Sequence, residues 1–380
     1  MTENKRAPGG GTPRIGNPGG VTLWAPWWLG ILSHVLILGW GVWEVRRYMN
    51  GGMFDPDFEV IREAWIFGFQ TFPLVLLGAG VAGCILGSFS ASLFGKMAWW
   101  TSHGGGLFIA LGIFVLGHYV TKVEPHRMEI REVEMRSSKV SRPLTILHLS
   151  DLQSGGVGPY EESVFETIRR LQPDLVIHSG DWLQPIPPKT FSSEFPKLRH
   201  LLRRVEAPLG FFGVYGDTDG EWYGIADAEL EPLEMMEVQP YLIEWEGGTI
   251  ALRGLGLFQS RYADMSRRPV REWMETVPEG AFTLLVGHAP DFILTTSDLP
   301  IDLALAGHTH GGQIRFPFLG PLVIDSEVPL ELSRGFHELG KVRLNVSAGL
   351  GATHTAGLPS IRLFCPSEMT MIRVLPEAAR

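Results

Sequence analysis

Three long apolar runs lie within the first 120 residues, and they constrain the chain more than any other feature. The first begins at Trp24, in WAPWWLGILSHVLILGWGVWEVRR. It approaches the ~20 residues that a spanning helix needs, with Trp at both ends and arginines beyond. A second run, 64–94, is longer, rich in Gly and Ala, and carries no charge. The third, 99–120, starts at a Trp pair and stops just before Lys122. No small-residue cleavage pattern follows the first run, so these segments read as retained anchors. Three such runs so close together argue against buried helices of a soluble domain. The second run is also long enough to fold as a hairpin, which would give four passes. His34, His103 and His118 fall in or near the runs and read as interfacial or bonded between helices.

Around these runs the chain divides into four regions. Residues 1–22 are Gly- and Pro-rich without apolar periodicity and read as a disordered tail. Residues 23–121 form an all-helical transmembrane region, 122–141 a charged linker, and 142–376 a soluble domain. With three spans, Arg46, Arg47 and Arg62 share a side with Lys122, Arg127, Arg131, Arg136 and Lys139. The positive-inside bias then predicts a multi-pass protein of the cell (inner) membrane with its large domain in the cytoplasm. Small-residue stretches such as GAGVAG and GGG permit close helix packing and hence a homodimer. A net charge of −9 argues against a nucleic-acid partner. Two distant cysteines, Cys84 and Cys365, give no disulfide framework.

The soluble region alternates strand-like and helix-like stretches, the pattern of an α/β domain. LTILHLSD and LVIHSGD each end in an acid, and GFFGVYGDTDG runs into a polar turn. AFTLLVGHAP and IDLALAGHTH repeat the scheme with histidines. Between them, ESVFETIRRLQPD has helical spacing, and SEFPKLRHLLRRVEAP reads as helical after its proline. Five strand-like runs therefore end in a candidate metal ligand: Asp151, Asp181, Asp217, His288 and the His308/His310 pair. A single Gly-Asp or Gly-His is turn chemistry. Five at equivalent strand ends, where α/β sheets build their sites, point to a divalent-metal centre. His148 and His178 lie inside apolar runs and read as core or supporting histidines.

The ordered blocks SDLQ, GD, GDTD, GHAP and GHTHGGQ, with the ending SAGLGATHTAGLPSIRLFCPSEMTMIRV, resemble the calcineurin-like metallophosphoesterases, in particular their membrane-anchored bacterial branch. Some of that branch are similar to UDP-2,3-diacylglucosamine pyrophosphohydrolases. The resemblance implies a four-layer α/β/β/α sandwich holding two divalent metals. By position, Asp151, Gln153, Asp181 and His310 would surround one metal. Asp181, Asp217, His288 and His308 would surround the other, with Asp181 bridging. It further implies attack on phosphorus by a metal-bound hydroxide, and hence hydrolysis of a phosphoester or pyrophosphate.

Two blocks depart from the family pattern. Gln153 stands where histidine is usual, and Asp217-Thr218 where Asn-His is usual. The extra oxygen donors favour manganese or magnesium over zinc or iron. Thr218 cannot serve as an acid at neutral pH, a loss of help typically worth roughly 10²–10⁴-fold. A good leaving group such as a pyrophosphate would offset that loss, as would another donor, for which His354 is a candidate. Asp219 matches the acid that orients the usual histidine. The membrane anchor suggests a lipid-linked substrate, with a phosphorylated small molecule as the simpler case. The competing expectation is a catalytically degenerate domain that binds metal or phosphate as a membrane sensor or scaffold.

Overall fold

The computed structural model describes residues 27–50, 58–89, 93–236, 239–353 and 357–377. The tail expected over 1–22 and the candidate proton donor His354 lie outside these residues. The chain divides into two compact units, one of residues up to Trp43 with Thr71–Gly112, the other of Glu44–Gln70 with Ile113 onward.

The apolar runs are helices: α1 (Trp27–Asn50), α2 (Phe58–Ile66), α3 (Phe72–Ser88) and α4 (Leu93–His118). A five-residue π turn, Phe67–Thr71, joins α2 to α3. The second run is thus one continuous helical segment rather than a hairpin. Three stretches, Trp28–Asn50, Glu59–Ser88 and Leu93–His126, are long and apolar enough to cross a membrane. Within the first unit, a side chain at Gly83 would meet the His103 ring at 1.7 Å, so this small residue lets α3 and α4 approach inside the chain. The GAGVAG stretch is therefore used at least in part for intrachain packing. His103 Nδ1 bonds the Trp99 carbonyl at 2.9 Å and His34 Nδ1 the Gly30 carbonyl at 3.0 Å. Their rings meet edge-on at 4.5 Å.

The second unit carries two six-stranded sheets. The first takes β1 (Met128–Ser137), β2 (Leu144–Leu149), β3 (Leu175–His178), β4 (Phe211–Gly213) and β5 (Leu233–Met235). The second takes β6 (Pro240–Trp245), β7 (Gly248–Gly254), β8 (Phe282–Val286) and β9 (Leu303–Ala306). After a small hairpin of β10 (Arg315–Phe316) and β11 (Gly320–Pro321), it adds β12 (Gly335–Leu339) and β13 (Val342–Val346). The last strand, β14 (Ser367–Pro376), returns to the first sheet between β1 and β2. Much of the segment read as a charged linker is thus edge strand β1, paired in parallel with β14. Its glutamates and arginines suit an edge, where charge discourages pairing with another chain.

Strand alternation builds the layers. Ile146, Leu175, Ile177 and Phe212 of the first sheet meet Ile250, Leu252, Leu284 and Leu305 of the second in one core. Leu147, Leu149 and Val176 point the other way, onto α5 (Pro159–Leu171) and α6 (Phe191–Leu202), with Leu230 of the short α7 (Asp227–Leu230). Beyond the second sheet, Ala251, Leu285 and Ala304 pack on Val270 and Trp273 of α9 (Ala263–Met274) and Ile293 of α10 (Ile293–Thr296). A single-turn α8 (Leu257–Arg261) follows β7. The result is an α/β/β/α order of layers. Helix α6 begins before Pro196, not after it, because Thr190 and Ser193 cap its first turn reciprocally.

Candidate metal centre

Each of the five runs ending in an acid or histidine is a strand, and each candidate ligand follows its strand by two to four residues. β2, β3 and β4 deliver Asp151, Asp181 and Asp217, while β8 and β9 deliver His288 and the His308/His310 pair. The two sheets bring these ends to one place. Asp217, His288 and His308 offer ligand atoms mutually within 4.8 Å, as do Asp151, Asp181 and His288. His308 Nδ1 lies 2.8 Å from Asp217 Oδ2 and 3.2 Å from His288 Nε2. His288 Nε2 stands 3.3 Å from Asp217 and 3.7 Å from Asp181, and His310 Nε2 lies 3.7 Å from Asp151.

The backbone is bent to make this convergence. Asp151, Gln153, Asp181, His308 and His310 all have positive φ, between 34° and 67°, a conformation that non-glycine residues adopt at a cost and that clusters at functional sites. Close approach does the rest. A side chain at Gly307 would strike Asp151 Oδ2 at 2.4 Å.

Hydrogen bonds fix the direction of several donors and acceptors. His288 Nδ1 bonds the Ser179 carbonyl at 2.8 Å, so that nitrogen carries a proton and Nε2 faces the carboxylates, the nitrogen through which the neutral ring would hold a metal. Gln153 donates from Nε2 to Asp181 Oδ2 at 2.7 Å, and its Oε1 is buried with no hydrogen-bond partner. Beneath Asp151 runs a buried chain. Asn345 Nδ2 donates to His148 Nδ1 at 2.7 Å, His148 Nε2 to Ser179 Oγ at 3.0 Å, and Ser179 Oγ to Ser150 Oγ at 2.7 Å. Ser150 Oγ in turn donates to Asp151 Oδ2. The His308 amide also donates to Asp151. Sequence reasoning placed His148 as a supporting histidine but had no signal for Asn345, which is 197 residues away.

Packed charge perturbs the site. Burial, with repulsion from Asp181, pushes Asp151 up to about 6, although the nearby histidines oppose it. For His288, burial opposes the charged form, but Asp181, Asp217 and Asp151 outweigh it and raise the imidazole to about 10. Burial likewise opposes ionisation of Asp217, yet His288 and His308 hold it well below the usual carboxylate range. Three acids and two histidines in one cluster, with Asp217 alone exposed, are an arrangement that divalent cations relieve. The donor set and the buried Gln153 oxygen fit a metal centre, with Asp151, Gln153, Asp181, Asp217, His288, His308 and His310 as the residues that would hold it.

Asp219 has a different role from the one expected. Its carboxylate accepts from the amides of Asp181 and Trp182 at 2.8 Å and of Gly216 at 2.7 Å. It holds the β3 and β4 loops together rather than orienting Thr218. Burial beside Asp181 pushes it up to about 7. Thr218 donates its amide to Asp181 Oδ1 at 2.8 Å, and its hydroxyl is buried without a partner.

Gln153, Asp181, Asp217, Thr218, His308 and His310 line one side of a cavity of about 580 Å³. Arg261, at the end of α8, supplies the one Arg or Lys among its described lining residues. It contacts His308 Nε2 and pairs with Asp325 Oδ1 at 2.5 Å. No sequence motif marked Arg261. The opposite wall is apolar, with Ile61, Ile314, Phe316, Leu322, Leu358 and Ile361 among its residues.

Comparison with known proteins agrees with this geometry. The calcineurin-like phosphoesterase family matches residues 144–312. The chain is 29% identical over 262 residues to YkuE, an uncharacterized metallophosphoesterase of Bacillus subtilis, covering 67% of this chain and 87% of YkuE. It is 24% identical over 320 residues to the UDP-2,3-diacylglucosamine pyrophosphatase LpxG of Chlamydia muridarum, covering 68% and 93% respectively. A second LpxG, from Chlamydia trachomatis, is 25% identical over 293 residues, covering 62% and 84%. With its two mixed sheets and its cluster of acids and histidines at the strand ends, the chain carries a calcineurin-like metallophosphoesterase domain and is a phosphoester hydrolase.

Proposed function

We propose that the chain is a membrane-anchored, two-metal phosphohydrolase that cleaves a phosphoanhydride in a lipid-linked substrate. One observation carries the reading: five of the seven candidate ligands, Gln153, Asp181, Asp217, His308 and His310, line a cavity that apolar side chains line as well. Such a cavity suits a molecule with a phosphorylated end and a greasy end. Three helices long enough to span a membrane support the anchor. The Lys/Arg bias supports a cytoplasmic catalytic domain.

Bound divalent metals supply a reactive water at neutral pH and offset charge on the phosphoryl oxygens. The chain's own residues do the rest. Asp181 accepts from Gln153 and from the Thr218 amide, which fixes its carboxylate beside His288, the residue common to both groups of ligands. Arg261 places a fixed cation beside His308, where it meets phosphoryl oxygens. The Thr218 hydroxyl, unpaired and lining the cavity, donates a hydrogen bond but not a proton. A leaving group that departs as a phosphate needs no such proton, which favours an anhydride over an alkyl ester. The oxygen-rich donor set favours manganese or magnesium.

The full chain in phospholipid nanodiscs, loaded with manganese, would be given UDP-2,3-diacylglucosamine and a long-chain alkyl phosphodiester at equal concentration. The reading expects the anhydride to turn over faster by at least the roughly 10²-fold that a general acid is worth. Equal or faster ester cleavage would overturn it.

A further inference from the structure

The hairpin of β10 and β11 faces water with residues that do not suit water. Residues 316–324, FPFLGPLVI, contain no charge. Phe318 is fully exposed, Leu319 is 75% exposed, and Phe316 and Leu322 are open as well. Phe364 extends the patch, because its neighbour Leu363 is stitched to the hairpin: Arg315 N donates to Leu363 O and Leu363 N to Gln313 O, both at 2.9 Å. Of the two flanking charges, Arg315 is turned inward, donating to the Gly311 carbonyl at 2.8 Å and Ser333 Oγ at 3.0 Å, and Asp325 pairs with Arg261.

Backbone geometry makes the exposure costly twice over. Phe318 has φ 69° and Phe364 φ 51°, a region where a turn ordinarily uses Gly or Asn. Bulky aromatics held there, facing solvent, gain nothing in an aqueous setting. Contiguous exposed apolar surface of this kind marks an interaction site.

The cavity indicates the occupant. Ile314, Phe316, Leu322, Val323 and Ile324 line it from the hairpin side, and Ile61 of α2 lines it too. Ile61 belongs to the same compact unit and is the third residue of the candidate span Glu59–Ser88. The apolar face of the hairpin is therefore continuous, through the cavity wall, with a segment suited to lipid.

We infer that the hairpin Ile314–Leu322, with Phe364, beds in the interfacial layer of the bilayer, so that the cavity mouth opens at the lipid surface. Phe and Leu at the tip enter the acyl boundary, as apolar residues of interfacial segments do. A lipid-linked substrate then reaches the metal centre without its chains crossing water. This inference rests on the membrane-anchored reading above.

Spin labels on single cysteines in the full chain test it. The background is Cys84→Ser, since Cys365 is buried. Labels go at Phe318 and Leu319, at Leu36 and Ile109 on the apolar helices, and at Arg268, which is exposed on α9. The chain is reconstituted in nanodiscs of phosphatidylcholine and phosphatidylglycerol in equal amounts. Collision with oxygen is then compared with collision with a water-soluble nickel chelate. The expected result is oxygen-favoured collision at 318 and 319, approaching that of 36 and 109 and distinct from the aqueous profile at 268. Aqueous profiles at both 318 and 319 beside lipid profiles at 36 and 109 would overturn the inference and leave the anchor standing. Aqueous profiles at all five sites would overturn the anchor together with it.

Discussion

Gln153 Nε2 donates to Asp181 Oδ2 at 2.7 Å, and the geometry leaves Gln153 Oε1 buried with no protein partner. A buried carbonyl oxygen without a donor costs on the order of 1–3 kcal/mol, and a cation at that point removes the cost. One amide thus orients an acid and offers a hard oxygen ligand. A Gln153→His variant replaces that oxygen with a softer nitrogen. Competition titrations should show zinc gaining on manganese, by roughly the 10- to 100-fold that changes around a site produce. An unchanged zinc-to-manganese ratio would remove Gln153 from the ligand set.

The chain from Asn345 through His148, Ser179 and Ser150 to Asp151 runs in one direction. Ser179→Ala breaks it in the middle and leaves Asp151 less firmly aimed. Calorimetric metal titration should show a loss of roughly 10- to 100-fold in affinity, with far-UV circular dichroism unchanged. Wild-type affinity in the variant would make the chain a packing feature only.

Thr218 and Arg261 make opposite predictions. Thr218→His restores an imidazole to the cavity and should raise alkyl-ester hydrolysis, by up to roughly 10²–10⁴-fold, while anhydride cleavage changes little. Arg261→Ala removes the cation from the cavity and should lower kcat/KM on both substrates, and Arg261→Lys should restore part of it. Steady-state kinetics on the two substrate classes separates these cases.

The acids and histidines of the centre make metal affinity depend on pH. His288, held at about 10 against an unfolded value near 6.5, stabilises the metal-free fold fully below pH ~6.5, and that contribution fades as pH rises toward 10. Metal binding requires the neutral ring and the ionised Asp151, which burial pushes up to about 6. The rise in Tm on adding manganese should therefore grow from pH 6 to pH 9. A rise that shrinks over that interval would contradict the assignment of His288 and Asp151.

Strand-end ligands were legible because each is fixed locally: a short apolar run, a glycine that permits the turn, then an acid or histidine. Asp181, Asp217, His288 and His308 follow that grammar, Asp151 follows it with Ser150 in the glycine's place, and the sheets bring them together. What escaped notice depends on contacts far apart in the chain. Arg261 sits at the end of a single-turn helix with no pattern of its own, and Asn345 on β13 of the second sheet reaches His148 on β2 of the first. The charges of β1 masked a strand because an edge strand is allowed to be polar. Asp219 matches a family position by sequence, but only the structure shows its carboxylate spent on three backbone amides. The FPFLGPLVI hairpin carried a plain signal, an uncharged apolar stretch in a turn-rich region, that was passed over in favour of the ligands beside it.

The most direct test of the metal centre is hydrolysis of bis-(p-nitrophenyl) phosphate by the purified full chain, after chelation and after return of manganese or magnesium. Asp181→Ala would run beside the wild type, with metal content measured in both. The account predicts turnover that depends on added metal and falls by at least about 10²-fold in the variant, because Asp181 belongs to one group of ligands and stands 3.7 Å from His288, which belongs to both. Turnover that survives chelation, or is the same in Asp181→Ala, would contradict it.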